Sequence, residues 1–104
     1  MLSPGEIKKE IEERLKAYLS RDKSGIRKEL LTLFIRIRSL TISEIHARLN
    51  ERFSISIKAV ASMVGIIASR IGILHVRRNA EGTNSVYEVK EQYLDVMTRI
   101  VAAS

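Results

Sequence analysis

The spacing of apolar residues changes at Gly72, and this change restricts the fold more than any other feature of the chain. Before it, Ile57, Val60, Val64, Ile67 and Ile71 recur at intervals of three and four, the period of a helix with one buried face. After it, Ile73, Leu74 and Val76, then Val86, Tyr87 and Val89, form two β-rich runs. Between the runs lies Asn79-Ala80-Glu81-Gly82-Thr83-Asn84, dense in turn formers, which predicts a β-hairpin with a loop longer than the tightest kind. Gly72 stands where a helix ends on a left-handed glycine. From about Glu91 the helical period returns through Tyr93, Val96, Met97, Ile100 and Val101. The chain is therefore expected to be mainly α, of α+β class, with a two-stranded hairpin and a closing helix over about 91–102.

Upstream, the pattern predicts three more helices. Ser3-Pro4-Gly5-Glu6 is a start signal: Ser3 can cap, Pro4 suits the first helical position and Glu6 completes a capping box. Ile7, Ile11, Leu15 and Leu19 then carry a helix over about 4–20, and Arg21 to Gly25 reads as a short link. Ile26, Leu30, Phe34 and Ile37, widened by Leu31, Leu33 and Ile35, predict a helix over 25–38 that is apolar almost all round and belongs at the centre of the core. Ser39-Leu40 reads as a very short strand. Thr41 and Glu44 form a second capping box, opening a helix over 42–52 with its stripe at Ile42, Ile45, Leu49 and Phe53. Ser54-Ile55-Ser56 is then a turn, and Ser56 caps a helix over 57–71.

Length and composition close off several classes. The 104 residues make about one domain, here a core over about 24–90 with two flanking helices. There is no Cys, so neither a disulfide framework nor a thiolate metal site is available. The apolar runs are far shorter than the roughly 18 residues of a membrane span, and the N-terminus lacks a basic-then-apolar signal pattern. The expectation is a soluble, cytoplasmic protein with no membrane partner. His46 and His75 sit on different predicted elements with no carboxylate pattern nearby, which suits surface or packing roles better than a metal site. No serine lies in a nucleophile-elbow context, and the five glycines are dispersed rather than gathered in a phosphate loop. No cofactor, metal or catalytic residue is predicted, and the chain reads as a binding protein rather than an enzyme. Tyr18, Tyr87 and Tyr93 suit core or interface positions, and aromatic residues at 5% do not furnish a base-stacking surface.

Charge points to the partner class. The net charge is +6, and it is unevenly placed. Residues 1–38 carry ten Lys/Arg against six Asp/Glu, residues 39–78 six against two, and residues 79–104 two against four. The first 78 residues thus hold +8, which favours a polyanionic partner.

The order helix, short strand, helix, tight turn, helix, hairpin resembles the winged helix-turn-helix class. Leu40-Thr41-Ile42-Ser43-Glu44-Ile45 looks like the entry to the first helix of that motif, Ile55-Ser56 like its turn, and Arg70-Ile71-Gly72-Ile73-Leu74 like the end of a recognition helix running into the first wing strand. The whole chain also resembles a family of small uncharacterised archaeal winged-helix proteins. The resemblance implies that the helix over 57–71 enters a DNA major groove while the hairpin lies on flanking backbone. Carried over by position, the groove-facing candidates are Lys58, Ala61, Ser62 and Gly65, and the wing candidates are Arg77, Arg78, Asn79, Thr83 and Asn84.

Base readout uses long side chains with bidentate reach. The first two turns of this helix supply only Lys58, followed by a smooth stripe of Ser62, Gly65 and Ser69. Lys58 with Ser62 reads either as a groove contact or as a solvated lysine beside a packing serine. Arg77-Arg78 reads as a phosphate contact or as charge protecting an edge strand, and neighbouring strand residues point to opposite faces. Basic residues of the first two helices, among them Lys8, Lys9, Arg14, Lys16, Arg27, Lys28, Arg36 and Arg38, alternate with acids as on an ordinary solvated face. The expected function is a small transcription-regulator-type DNA binder with backbone-dominated contacts. The alternative is a protein-interaction module using the small, apolar recognition helix, discriminated by an exposed patch around Met63 and Ile66. RNA is a third partner class, and the terminal helices are candidates for a homodimer interface.

Overall fold

Hydroxyl side chains start three of the helices. The computed structural model describes residues 3–78 and 85–104. Ser3 Oγ accepts the Glu6 N–H at 3.2 Å to open α1, Pro4–Ser20. Thr41 and Glu44 bond reciprocally, side chain to backbone, at 3.2 and 2.8 Å, and open α3, Ile42–Leu49. Ser56 Oγ accepts the Ala59 N–H at 3.1 Å and opens α4, Ile57–Ile66. All three capping residues follow the sequence reading, but the capping box expected at Ser3 and Glu6 is not closed: the Glu6 carboxylate accepts from the Ser3 hydroxyl at 3.1 Å instead of from its backbone N–H.

The helix α2, Ile26–Ile37, starts differently. Gly25 takes a left-handed φ of 89°, and the cap comes from Asp22, in the segment read as a simple link. Its Oδ1 accepts from the N–H groups of Gly25 and Arg27 at 3.1 and 3.2 Å, and its Oδ2 from Lys28 at 3.0 Å. A carboxylate there satisfies donors that the helix leaves orphaned and complements its dipole. Asp22→Ala is expected to cost about 1–2 kcal/mol, read as a lower urea midpoint with an unchanged m-value.

The structure departs from the sequence reading at four places. The third helix ends at Leu49 rather than residue 52, and the Leu49 carbonyl turns the chain by accepting from both Arg52 and Phe53 N–H at 3.1 and 2.8 Å. The predicted helix over 57–71 is continuous, but Ile67–Ile71 is a π turn, closed by Gly72 N–H to Ile67 O at 3.0 Å with Gly72 at φ 83°. Ile57, expected on the buried face, is 50% exposed because the first helical residue projects past the edge of the core. The C-terminal helix begins as a 3-10 turn at Glu91–Tyr93 before α5, Leu94–Ala103.

The hairpin joins a larger sheet. Its strands are β2, Leu74–Arg78, and β3, Ser85–Val89, antiparallel with Leu74 opposite Val89 and Arg78 opposite Ser85. The short strand β1, Ser39–Thr41, pairs with the free edge of β3, Leu40 opposite Tyr87. Among the described residues the sheet thus has three strands in the order β1-β3-β2. Arg38 turns the chain from α2 into β1 at φ 76°, a conformation most side chains avoid, and its carbonyl accepts the Val89 N–H at 2.9 Å.

One core unites these elements. Leu30, Leu31 and Phe34 of α2 lie at its centre, met by Leu15, Leu40, Ile45, Val60, Val64, Ile67, Ile73 and Met97. The terminal helices take up their apolar faces here, through Ile11, Leu15 and Leu19 on α1 and Val96, Met97, Ile100 and Val101 on α5. Arg99 of α5 pairs with Glu12 of α1, and the guanidinium's hydrogen bond holds that carboxyl below its ordinary range. The protein is a mixed α+β fold of five helices and a small antiparallel sheet among the described residues. No helix of these residues is long and apolar enough to cross a membrane.

Candidate nucleic-acid interface

The connection between α3 and α4 is held by side chains from the first of the two helices. His46 Nε2 lies 2.9 Å from the Ile55 carbonyl, and Asn50 Oδ1 accepts the Ile55 N–H at 3.3 Å. Both ends of the Ile55 backbone are thereby tied, which fixes how α4 leaves the turn. His46, read from sequence as a surface or packing residue, has a definite structural task. Among the described residues no group of three His, Cys, Asp or Glu side chains is placed to hold a metal ion.

On α4 the candidate residues share one outward stripe. Lys58, Ala61 and Ser62 are exposed and Gly65 is half-buried. A Cβ built at Gly65 meets nothing within 4 Å, so no neighbour within the described chain requires the glycine. Ser69, next on the stripe, turns its hydroxyl back to the Gly65 carbonyl at 2.7 Å. Gly65→Ala is accordingly expected to stabilise the chain by about 0.5–1 kcal/mol, visible as a melting temperature several degrees higher. Unchanged or lower stability would show that the glycine has a structural role in the isolated chain.

The two wing arginines are separated by the pleat. The β2–β3 register runs unbroken from Leu74 to Arg78, so no bulge brings them together. Arg77 shares a face with Glu88 and pairs with it at 3.0 Å. Arg78 lies on the other face, the one that carries Leu74, Leu40 and Val89 into the helical layer, but beyond the edge of the core. Val76, on the same face, is 48% exposed. None of the ion pairs among the described residues involves Lys58 or Arg78. Asn79, Thr83 and Asn84 lie outside the described residues.

Lys58 and Arg78 therefore stand at the first turn of α4 and at the end of β2, with an outward stripe of small side chains between Lys58 and the π turn. Arg48, exposed on α3, is a further cation without an ion-pair partner among the described residues, and the sequence reading had not singled it out. Helical spacing alone did not separate it from the solvated charges around it.

Comparison with known proteins places this chain in a family. The chain belongs to the family described as protein of unknown function DUF2551, whose model matches residues 15–97. That span runs from within α1 to within α5 and includes every element just described as bearing candidate contacts. An uncharacterised protein of Archaeoglobus fulgidus is 43% identical over 93 residues, covering 88% of this chain and 93% of that protein. No solved structure matches the chain.

Proposed function

We propose that this protein is a winged helix-turn-helix domain that binds duplex DNA mainly through the phosphate backbone, as a cytoplasmic regulator-type binding protein and not an enzyme. The observation that carries the reading is the connectivity: α2, β1, a capped two-helix unit α3–α4 joined by a tied turn, then a hairpin whose inner strand also pairs with β1. In a winged helix, the second helix of such a unit lies in the major groove and the hairpin on the adjacent backbone.

The side chains support backbone contact more than base readout. Lys58 and Arg78 supply charge, while Ala61, Ser62 and Gly65 supply a smooth surface that lets a groove wall come close. Two of these side chains carry no group with bidentate reach to a base edge, and Gly65 has no side chain at all. The rival reading, a protein-docking surface around Met63 and Ile66, gains little: both residues are half-buried and packed against the core. A two-fold dimer using the outer sides of α1 and α5 would set two α4 helices about one DNA turn apart.

Amide chemical-shift mapping with a mixed-sequence duplex tests which face binds. Shifts are expected over residues 56–66 of the turn and α4 and over both hairpin strands, with the outer side of α5 unmoved. Shifts confined to α1 and α5 would contradict the proposed face, and displacement of the duplex by structured RNA at lower concentration would reassign the partner.

A further inference from the structure

Four arginines from four separate parts of the chain converge on one open cleft of about 260 Å³. Arg14 comes from α1, Arg21 from the residue after it, Arg27 from the first turn of α2 and Arg70 from the π turn, with Tyr18 and Ile66 in the walls. Like charges gathered this way repel one another unless an anion lies among them. The acids nearby, Glu10 and Asp22, offset only part of this charge. Glu10 pairs with Arg14 at 3.4 Å, and both oxygens of Asp22 accept from the α2 backbone. Arg21, Arg27 and Arg70 take part in no ion pair among the described residues.

Two of the guanidinium groups are already positioned. Arg27 lies over the Tyr18 ring at 4.5 Å from its centroid and donates Nη1 to the Tyr18 carbonyl at 2.9 Å. Arg14 reaches the Ile71 carbonyl, at the end of the π turn, at 3.4 Å. Each has five N–H donors, so these tethers leave most of the fork available.

We propose that this cleft binds the phosphate or diphosphate group of a small ligand, apart from the face assigned to DNA. Planar arginine forks match phosphate oxygens bidentately. The volume falls below the roughly 300–1,000 Å³ of pockets that enclose a whole drug-sized molecule, so the cleft takes the anionic group and leaves the rest of the ligand outside. Arg70 lies twelve residues past Lys58, about 18 Å along a helix at 1.5 Å per residue. The cleft and the first turn of α4 are thus separate sites. The inference does not depend on the DNA reading.

Calorimetric titration of the full chain with inorganic pyrophosphate tests it. One site is expected, weakened about tenfold or more in Arg14→Gln/Arg70→Gln and unchanged within about twofold in Arg78→Gln, since Arg78 lies on the wing. Arg21→Gln separates binding from structure: Arg21 is exposed and takes part in no ion pair among the described residues, so the change is expected to leave the melting temperature nearly unmoved while weakening pyrophosphate severalfold. A phosphate of the nucleic-acid backbone is the other source of the same chemistry, and duplex titration of Arg14→Gln/Arg70→Gln distinguishes it. Absence of pyrophosphate binding, binding indifferent to these substitutions, or a loss of duplex affinity as large as the loss of pyrophosphate affinity overturns the proposal.

Discussion

Replacing Phe34 with alanine is expected to remove about 3–5 kcal/mol of folding stability. Phe34 has no exposed surface and sits on α2, against which β1, β3, α1, α3 and α5 all pack. It is the bulkiest of the fully buried side chains, so its loss leaves a void in the core. Domains of this size are stable by only about 5–15 kcal/mol, so the variant stands close to global unfolding at room temperature. Urea unfolding followed by circular dichroism gives the number. A loss below about 1 kcal/mol would mean that the centre of the core lies elsewhere.

The second large effect is on binding. Each phosphate neutralised on B-DNA contributes about 0.9 to the slope of log affinity against log salt. At 0.1 M salt one such contact is then worth about eightfold in affinity and two about sixtyfold. Lys58→Gln/Arg78→Gln should therefore weaken duplex binding roughly sixtyfold and reduce the salt slope by about 1.8. Arg77→Gln should do less, because Glu88 already neutralises that guanidinium at 3.0 Å. If Arg77→Gln proved the more damaging change, the assignment of wing faces from the strand register would be wrong.

What the sequence disclosed follows the range of the interactions involved. The caps at Ser3, Thr41 and Ser56 and the glycine stop at Gly72 depend on residues within five positions, and all were legible. The hairpin was legible because its strands are neighbours in sequence. The short strand at Ser39-Leu40 was legible too, but not its place in the sheet: Leu40 and Tyr87 meet across 47 positions, and a three-residue strand has too short a pattern to declare its partner. Asp22 was passed over because it caps α2 across a left-handed glycine rather than from the usual adjacent position. Ile57 fits the buried period and is nonetheless exposed, since periodicity gives the angle around a helix and not where the core stops along it. Of the candidate contacts, Lys58, Ala61 and Ser62 do reach the surface together on α4, and the opposite faces of Arg77 and Arg78 were legible from the pleat, whereas which of the two is paired needed the position of Glu88. The arginine cleft was not visible at all, because its four side chains come from elements that only the tertiary fold brings together.

The central claim is that this chain binds duplex DNA by neutralising backbone charge, and fluorescence anisotropy on a labelled mixed-sequence duplex over a range of salt tests it most directly. With about four phosphates neutralised per chain, the account predicts saturable binding tighter than about 100 μM at low salt and a log–log slope near −3.6. No binding at that concentration, or an affinity indifferent to salt, would contradict it.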